Sequence, residues 1–268
     1  MGVKTIITLE KLNTLFTSYN FIKISSTTTG IMDTTYIVFT KQNSYILKHY
    51  ERDIENKIIK DAKLLDELKS NSLNVSRLLD SYNGWYIYER LLGDEPKNIK
   101  TFHIQALARF LSKMHKLTYK KSLDSNFINY QELNMMLTYL KRKNYINYKK
   151  FINLKDIGYK NDGIIHGDIF KDNTVFYNST IGVFDFSDSG DGSFIFDAGI
   201  TLFGFKISIK KQLYLNLFLN SYNQRAKKRF TKKDLLEAMK IASDFYGLKR
   251  VFRYNLTHEK FNNQSIKF

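Results

Sequence analysis

Gly163-Ile164-Ile165-His166-Gly167-Asp168-Ile169-Phe170-Lys171-Asp172-Asn173-Thr174-Val175-Phe176, followed by Ile181-Gly182-Val183-Phe184-Asp185-Phe186, is the stretch from which the fold is read. Two short apolar runs, Ile164-Ile165 and Thr174-Val175-Phe176, flank a polar loop, and a third run from Ile181 to Phe184 ends on a carboxylate. Runs this short, rich in β-branched residues and broken by Gly and Asn, read as strands. The pattern therefore places Asp168, Asn173 and Asp185 on loops and strand ends of one small hairpin-like unit. Asp168 can accept the proton of a substrate hydroxyl. Asn173 and Asp185 offer hard oxygen ligands to Mg²⁺, an ion that holds nucleotide phosphates. Read singly, each residue could cap a local turn; that reading does not account for the set.

His166-Gly167-Asp168, then Asn173, then Asp185 twelve positions later, resembles the catalytic loop and metal-binding Asp of the aminoglycoside phosphotransferase-like kinases, small-molecule relatives of the protein kinases. The resemblance implies an α+β, two-lobed protein-kinase-like fold. A small N-lobe of antiparallel sheet with one helix (residues 1–92) would bind nucleotide. A larger, mostly helical C-lobe (residues 93–268) would carry catalysis and substrate. It further implies ATP and Mg²⁺ as cofactors and a small-molecule hydroxyl acceptor, an amino acid or amine, as substrate. Asp168 would orient and deprotonate that hydroxyl, and Asn173 and Asp185 would ligate the metal. His166 would orient the loop, and Asp197 would begin a helix and hydrogen-bond back to it. Asp197 follows Asp185 by only twelve positions, too few for the long activation segment of a protein kinase.

Upstream, Leu9, Leu12, Leu15 and Phe16 have helical spacing, with Thr8 as cap. Strand signals follow at Phe21–Ile24, Tyr36–Phe39 and Ser44–Lys48. In the kinase plan the Thr27–Gly30 turn, with Thr29 and Gly30, folds over the phosphates. Lys48, ending the third strand, can reach the α- and β-phosphates as a point charge. An amphipathic helix at 54–70 would supply a carboxylate to pair with Lys48, Asp61 as first choice and Glu55 as second. The strand Trp85–Glu89 would lead into a hinge whose main chain, from Glu89 to Leu91, binds adenine. Asp33, Asp188 and Asp191 are acids that could face an acceptor's ammonium group; a plain turn serves equally for the last two.

The segments Thr28–Tyr36 and Tyr45–Glu51 are similar to those of bacterial homoserine kinases of the same type, and Leu248-Lys249-Arg250 fits their C-terminal pattern. That likeness implies L-homoserine as acceptor, giving O-phospho-L-homoserine in threonine biosynthesis. The run Thr201-Leu202-Phe203-Gly204 departs from their pattern. Choline kinases share a looser version, so choline, ethanolamine or aminoglycoside acceptors stay open.

Residues 101–117 read as a helix ending near His115, a packing or helix-end residue. Residues 130–140 form a weaker helix, and the Lys-, Asn- and Tyr-rich stretch 120–160 has no assigned role. Two helices are expected at 235–245 and 248–253. The chain of 268 residues has no cysteine, which excludes disulfides, thiolate catalysis and Cys-ligated zinc. Its N-terminus lacks a signal-peptide run and no stretch reaches membrane-span length, so a cytoplasmic protein with no membrane partner is expected. The net charge is +16, from 42 Lys+Arg against 26 Asp+Glu. A basic nucleic-acid binder is the competing class. The lysines are spread along the chain, however, which reads as compositional bias, and no nucleic-acid partner is expected. The oligomeric state is not legible.

Overall fold

Short strands and two flanking helices build the first part of the molecule. The computed structural model describes residues 4–27, 33–145 and 148–257. Helix α1 (Leu9–Leu15) starts where the Thr8 side chain accepts from the Lys11 N–H. Strands β1 (Lys23–Ser26), β2 (Thr34–Phe39) and β3 (Ser44–His49) follow. In β2, Thr34, Tyr36 and Val38 are buried while their neighbours are half-exposed, the period-2 signature of a sheet covered on one face. After α2 (Glu55–Ser70) come β4 (Leu78–Tyr82) and β5 (Trp85–Glu89). The five strands form one antiparallel sheet in the order β1-β2-β3-β5-β4. Leu12 and Phe16 of the N-terminal helix region pack with Val38, Leu47, Trp85 and Ile87 of the sheet. Helix α2 buries Ile58, Leu64, Leu65 and Leu68, the i, i+3, i+4 positions of one stripe.

The rest of the chain is mainly helical. Helices α3 (Thr101–Thr118), α4 (Tyr130–Arg142) and the short α5 (Tyr148–Phe151) precede strand β6 (Gly163–Ile165). The hairpin β7 (Thr174–Tyr177) and β8 (Thr180–Val183) comes next. Then come β9 (Gly190–Gly192), α6 (Phe194–Gly204), α7 (Gln212–Asn223) and α8 (Lys232–Thr257). Helix α6 is the most buried of these; its Phe194 to Leu202 are all inside. Gly199 lets it approach the Ala238 backbone of α8, where a Cβ would lie 2.6 Å from the carbonyl carbon.

These elements sort into two units. One holds residues 1–97 with 172–187; the other holds 98–171 with 188–268. Backbone bridges Val75 to Val183 and Asp94 to Phe176 place the β7–β8 hairpin in the first unit. The sequence expects one boundary at residue 92, with 93–268 together; here the chain passes between units at 97/98, 171/172 and 187/188.

Two expectations are corrected. The central stretch is not one hairpin-like unit: β6 pairs with β9, and only β7 and β8 form a hairpin together. Asp168 and the pair Asn173/Asp185 thus belong to different units. Gly190-Asp191-Gly192 carries almost no side-chain pattern, so its pairing partner is set by backbone hydrogen bonds that sequence does not display. At the C-terminus one continuous helix replaces the two expected, because Gly247 is carried inside α8. A helical glycine costs only about 1 kcal/mol against alanine, and packing outweighs it.

Candidate active site

The first unit contains a cavity of about 300 Å³. Lys48, Asp61, Tyr50 and Tyr88 line it, with Glu89 to Leu91 of the β5 end, and with Asn173 and Asp185 of the hairpin. Each reaches it for a local reason. Lys48 is the penultimate residue of β3, opposite Thr35 on one side and Tyr86 on the other. Asn173 and Asp185 are brought together by the hairpin register. Thr174 pairs with Val183, and the Phe184 N–H donates to the Asn173 carbonyl at 3.1 Å, so the two residues bracket the open end of the ladder.

The Lys48 ammonium lies 2.6 Å from Asp185 Oδ2, and Ser187 Oγ donates to Asp185 Oδ1 at 2.8 Å. Asp185 has a positive φ of 63°, in the left-handed region that Asp tolerates better than most residues. Its side chain is 28% exposed, against 11% for Lys48. A carboxylate held in an unusual backbone conformation and still open to a cavity is of the kind that ligates ions. With the Asn173 side chain it offers hard oxygen donors from two residues. That suits Mg²⁺, which is held by one or two carboxylates plus phosphates rather than by a full protein cage. Among the described residues no cluster of three or more His, Cys, Asp or Glu forms a metal cage.

Behind the lysine, Tyr50 and Tyr88 share a hydrogen bond of 3.0 Å between their hydroxyls, and the Lys48 ammonium sits 5.5 Å from the Tyr50 ring. Burial pushes both phenols up, and the Asp185 charge adds to it. Neither tyrosine was singled out by sequence reading. Along β5 the four consecutive residues Trp85 to Tyr88 are all buried, a continuous run with no alternation to single out Tyr88.

The expected Lys48–Asp61 pair is not the one formed here. Asp61, 3% exposed on α2, is held through both oxygens by Lys57 at 2.7 and 2.8 Å, and Lys57 also donates to the Phe186 carbonyl at 3.2 Å. Lys57 stands four positions before Asp61, the spacing at which helical neighbours meet, so a local partner wins. Glu55 is exposed at the start of α2. Asp33 is engaged by Arg52 at 2.8 Å and by the Glu51 N–H at 3.1 Å. Thr29 and Gly30 lie outside the described residues. Glu89 points its carboxylate at Arg77 and Lys69, at 2.8 and 2.9 Å. Burial alone would raise its pKa; those two cations hold it below the ordinary carboxylate value. Its N–H donates to the Arg77 carbonyl and its C=O accepts from Ser76 Oγ.

In the second unit the loop after β6 is fixed by Asp197, in the first turn of α6. Fully buried, Asp197 accepts from the N–H groups of His166 and Gly167 at 3.0 and 2.9 Å, and meets His115 Nε2 at 3.0 Å. The other nitrogen of His115 bonds the Tyr222 hydroxyl at 2.8 Å. Burial would raise the Asp197 pKa. The His115 hydrogen bond, the His115 and His166 charges and the Gly167 N–H together hold it below its ordinary value. His115 is thus more than a helix-end packing residue. His166 Nδ1 accepts from the Asp168 N–H at 3.1 Å. Gly167, at φ 76°, packs so closely on Phe127 that any Cβ would collide with the ring. The loop backbone is therefore fixed on several sides, while the Asp168 side chain stays partly exposed. Tyr246 of α8, missed in the sequence, donates its hydroxyl to the Gly167 carbonyl. Asp188 is exposed.

Residues 27–222 match the family model described as the phosphotransferase enzyme family. No curated protein matches the chain in sequence. Solved structures do resemble it in fold. The amicoumacin kinase hAmiN, in complex with AMP-PNP, Ca²⁺ and Ami, has a TM-score of 0.66 at 19% identity, covering 97% of this chain and 87% of that one. The ADP-bound aminoglycoside phosphotransferase APH(2'')-Ib gives 0.64 at 15% identity, with coverage of 91% and 88%. Choline kinase LicA from Streptococcus pneumoniae gives 0.59 at 14% identity, with coverage of 95% and 92%. These likenesses show the α+β, protein-kinase-like fold. No described helix is long and apolar enough to cross a membrane.

Proposed function

Because this chain belongs to the phosphotransferase enzyme family, we propose that it is an ATP-dependent kinase of a small hydroxyl-bearing molecule. The observation that carries the reading is the Lys48–Asp185 pair, 2.6 Å apart, on the wall of a cavity that Asn173 also lines. A cation and two oxygen-donor side chains in one pocket of nucleotide-binding size is the equipment that phosphoryl transfer needs, since its transition state calls for positioning and charge neutralisation. Asn173 and Asp185 would hold Mg²⁺, which would supply charge neutralisation at the phosphates. Lys48 would leave Asp185 for the α- and β-phosphates. The main chain around Leu91 would receive the adenine, since the Glu89 N–H and C=O are already engaged within the protein. Thr29 and Gly30 would lie over the phosphates. Asp168 would accept the proton of the acceptor hydroxyl, its loop held by Asp197 and His166.

L-Homoserine is the acceptor that the sequence likeness at 28–36 and 45–51 favours. Aminoglycoside and choline acceptors are the second reading, favoured by the names of the structural neighbours. A Mg·ATP assay across homoserine, choline, ethanolamine and an aminoglycoside tests the proposal. Transfer to at least one is expected. No transfer to any, with ATP shown to bind, would remove the kinase reading.

A further inference from the structure

Lys249, on α8, is half-buried with its ammonium 4.9 Å from the Phe245 ring centre, 5.9 Å from that of Phe127 and 6.0 Å from that of Tyr246. Among the described residues it forms no ion pair. Phe245 and Tyr246 precede it by four and three positions, so all three share one face of the helix. That face is the one turned to the Asp168 loop: the Tyr246 hydroxyl donates to the Gly167 carbonyl, and Phe127 packs on Gly167 itself. The rings fix the lysine stem and attract the cation weakly, but they satisfy none of its three N–H donors. An ammonium oriented in this way, with donors to spare, suits a carboxylate.

The same neighbourhood holds the opposite charge. Asp168 and Asp188 both bear on the buried Tyr246 hydroxyl, which burial first and these carboxylates next push far above its ordinary pKa. Around one tyrosine the protein thus sets three carboxylates, of which Asp197 is already paired with His115, and, over the ring, one cation. An acceptor with positive charge alone would gain nothing from Lys249 and would be repelled by it.

We infer that the acceptor is a small zwitterionic alcohol whose carboxylate seats on Lys249 while its hydroxyl meets Asp168. The inference rests on the kinase reading and narrows it, since choline, ethanolamine and aminoglycosides lack the carboxylate.

The experiment compares kcat/KM for L-homoserine and L-serine with kcat/KM for their amides, which keep the hydroxyl and the ammonium but lose the negative charge. Choline and an aminoglycoside complete the series. The acid forms are expected to be preferred by about 10- to 100-fold, the range of a charge-assisted hydrogen bond. Lys249→Met should erase most of that ratio through KM of the acid, and Lys249→Arg should restore it. A merely structural lysine would lower rates on acid and amide alike and leave the ratio standing; that result overturns the inference. So does a wild-type enzyme that phosphorylates choline, the aminoglycoside or the amides as well as the acids, although the kinase reading then survives. No transfer to any compound overturns both.

Discussion

Two carboxylates, one in each unit, are paired with a basic side chain, and they are built for different work. Asp197 is completely buried, meets His115 at 3.0 Å and spends its remaining lone pairs on two backbone N–H groups. Asp185 meets Lys48 at 2.6 Å but keeps 28% of its side chain exposed, in a cavity and on a left-handed backbone. The first pair is closed off from solvent and held on several sides by donors of the protein itself. The second has a partner that a nucleotide could replace. Burial with full hydrogen bonding marks scaffolding; a close pair left open marks a site that exchanges partners.

The comparison breaks most sharply at Asp168, which shares the Asp197 scaffold but is itself partly exposed. Asp168→Asn should lower kcat by about 10²–10⁴-fold, the range for a positioned acid–base group, with the melting temperature nearly unchanged. Steady-state kinetics and a thermal melt read both. Asp197→Asn should do the reverse and unfold the protein first. Removing one member of a fully buried pair costs about 3–5 kcal/mol, visible as a lowered denaturant midpoint. The acid limb sharpens this. The Asp197 pKa is depressed in the folded state, so its stabilisation is present above the unfolded carboxylate pKa and is lost as pH falls through the folded one. Denaturation midpoints taken down the acid range should fall in the wild type and flatten in the variant. Lys48→Met should cut kcat/KM for ATP by about 10²–10³-fold, as for a lost electrostatic stabiliser. The smallest effect belongs to Glu89. Its ion pairs with Lys69 and Arg77 are partly exposed, so Glu89→Ala should cost about 1 kcal/mol or less in a denaturant titration. ATP affinity should hold, because the adenine contact is assigned to main chain.

How much of this was legible in the sequence varies by element. Strands β1, β2, β3 and β5 and helix α2 were, because short runs rich in β-branched and aromatic residues and a period-3.6 stripe are written in side chains, while β4 was not: the helix expected at 54–70 runs from Glu55 to Ser70. Lys48 at a strand end, and the turns carrying Asn173 and Asp185, were legible for the same reason. What escaped was tertiary. Gly190-Asp191-Gly192 gives no hint that it pairs with β6. His115 and Asp197 stand 82 positions apart, and Tyr246 and Gly167 stand 79 apart. Only the Lys57–Asp61 pair was missed while in plain view, as an i, i+4 neighbour outweighing a distant partner.

Calorimetric titration of ATP, with and without Mg²⁺, into wild type and Asp185→Asn goes to the centre of the account. Asp185 should act as a metal-dependent phosphate site: the wild type should bind ATP more tightly with Mg²⁺, and the variant should lose that gain. ATP binding that ignores both Mg²⁺ and the substitution would contradict it.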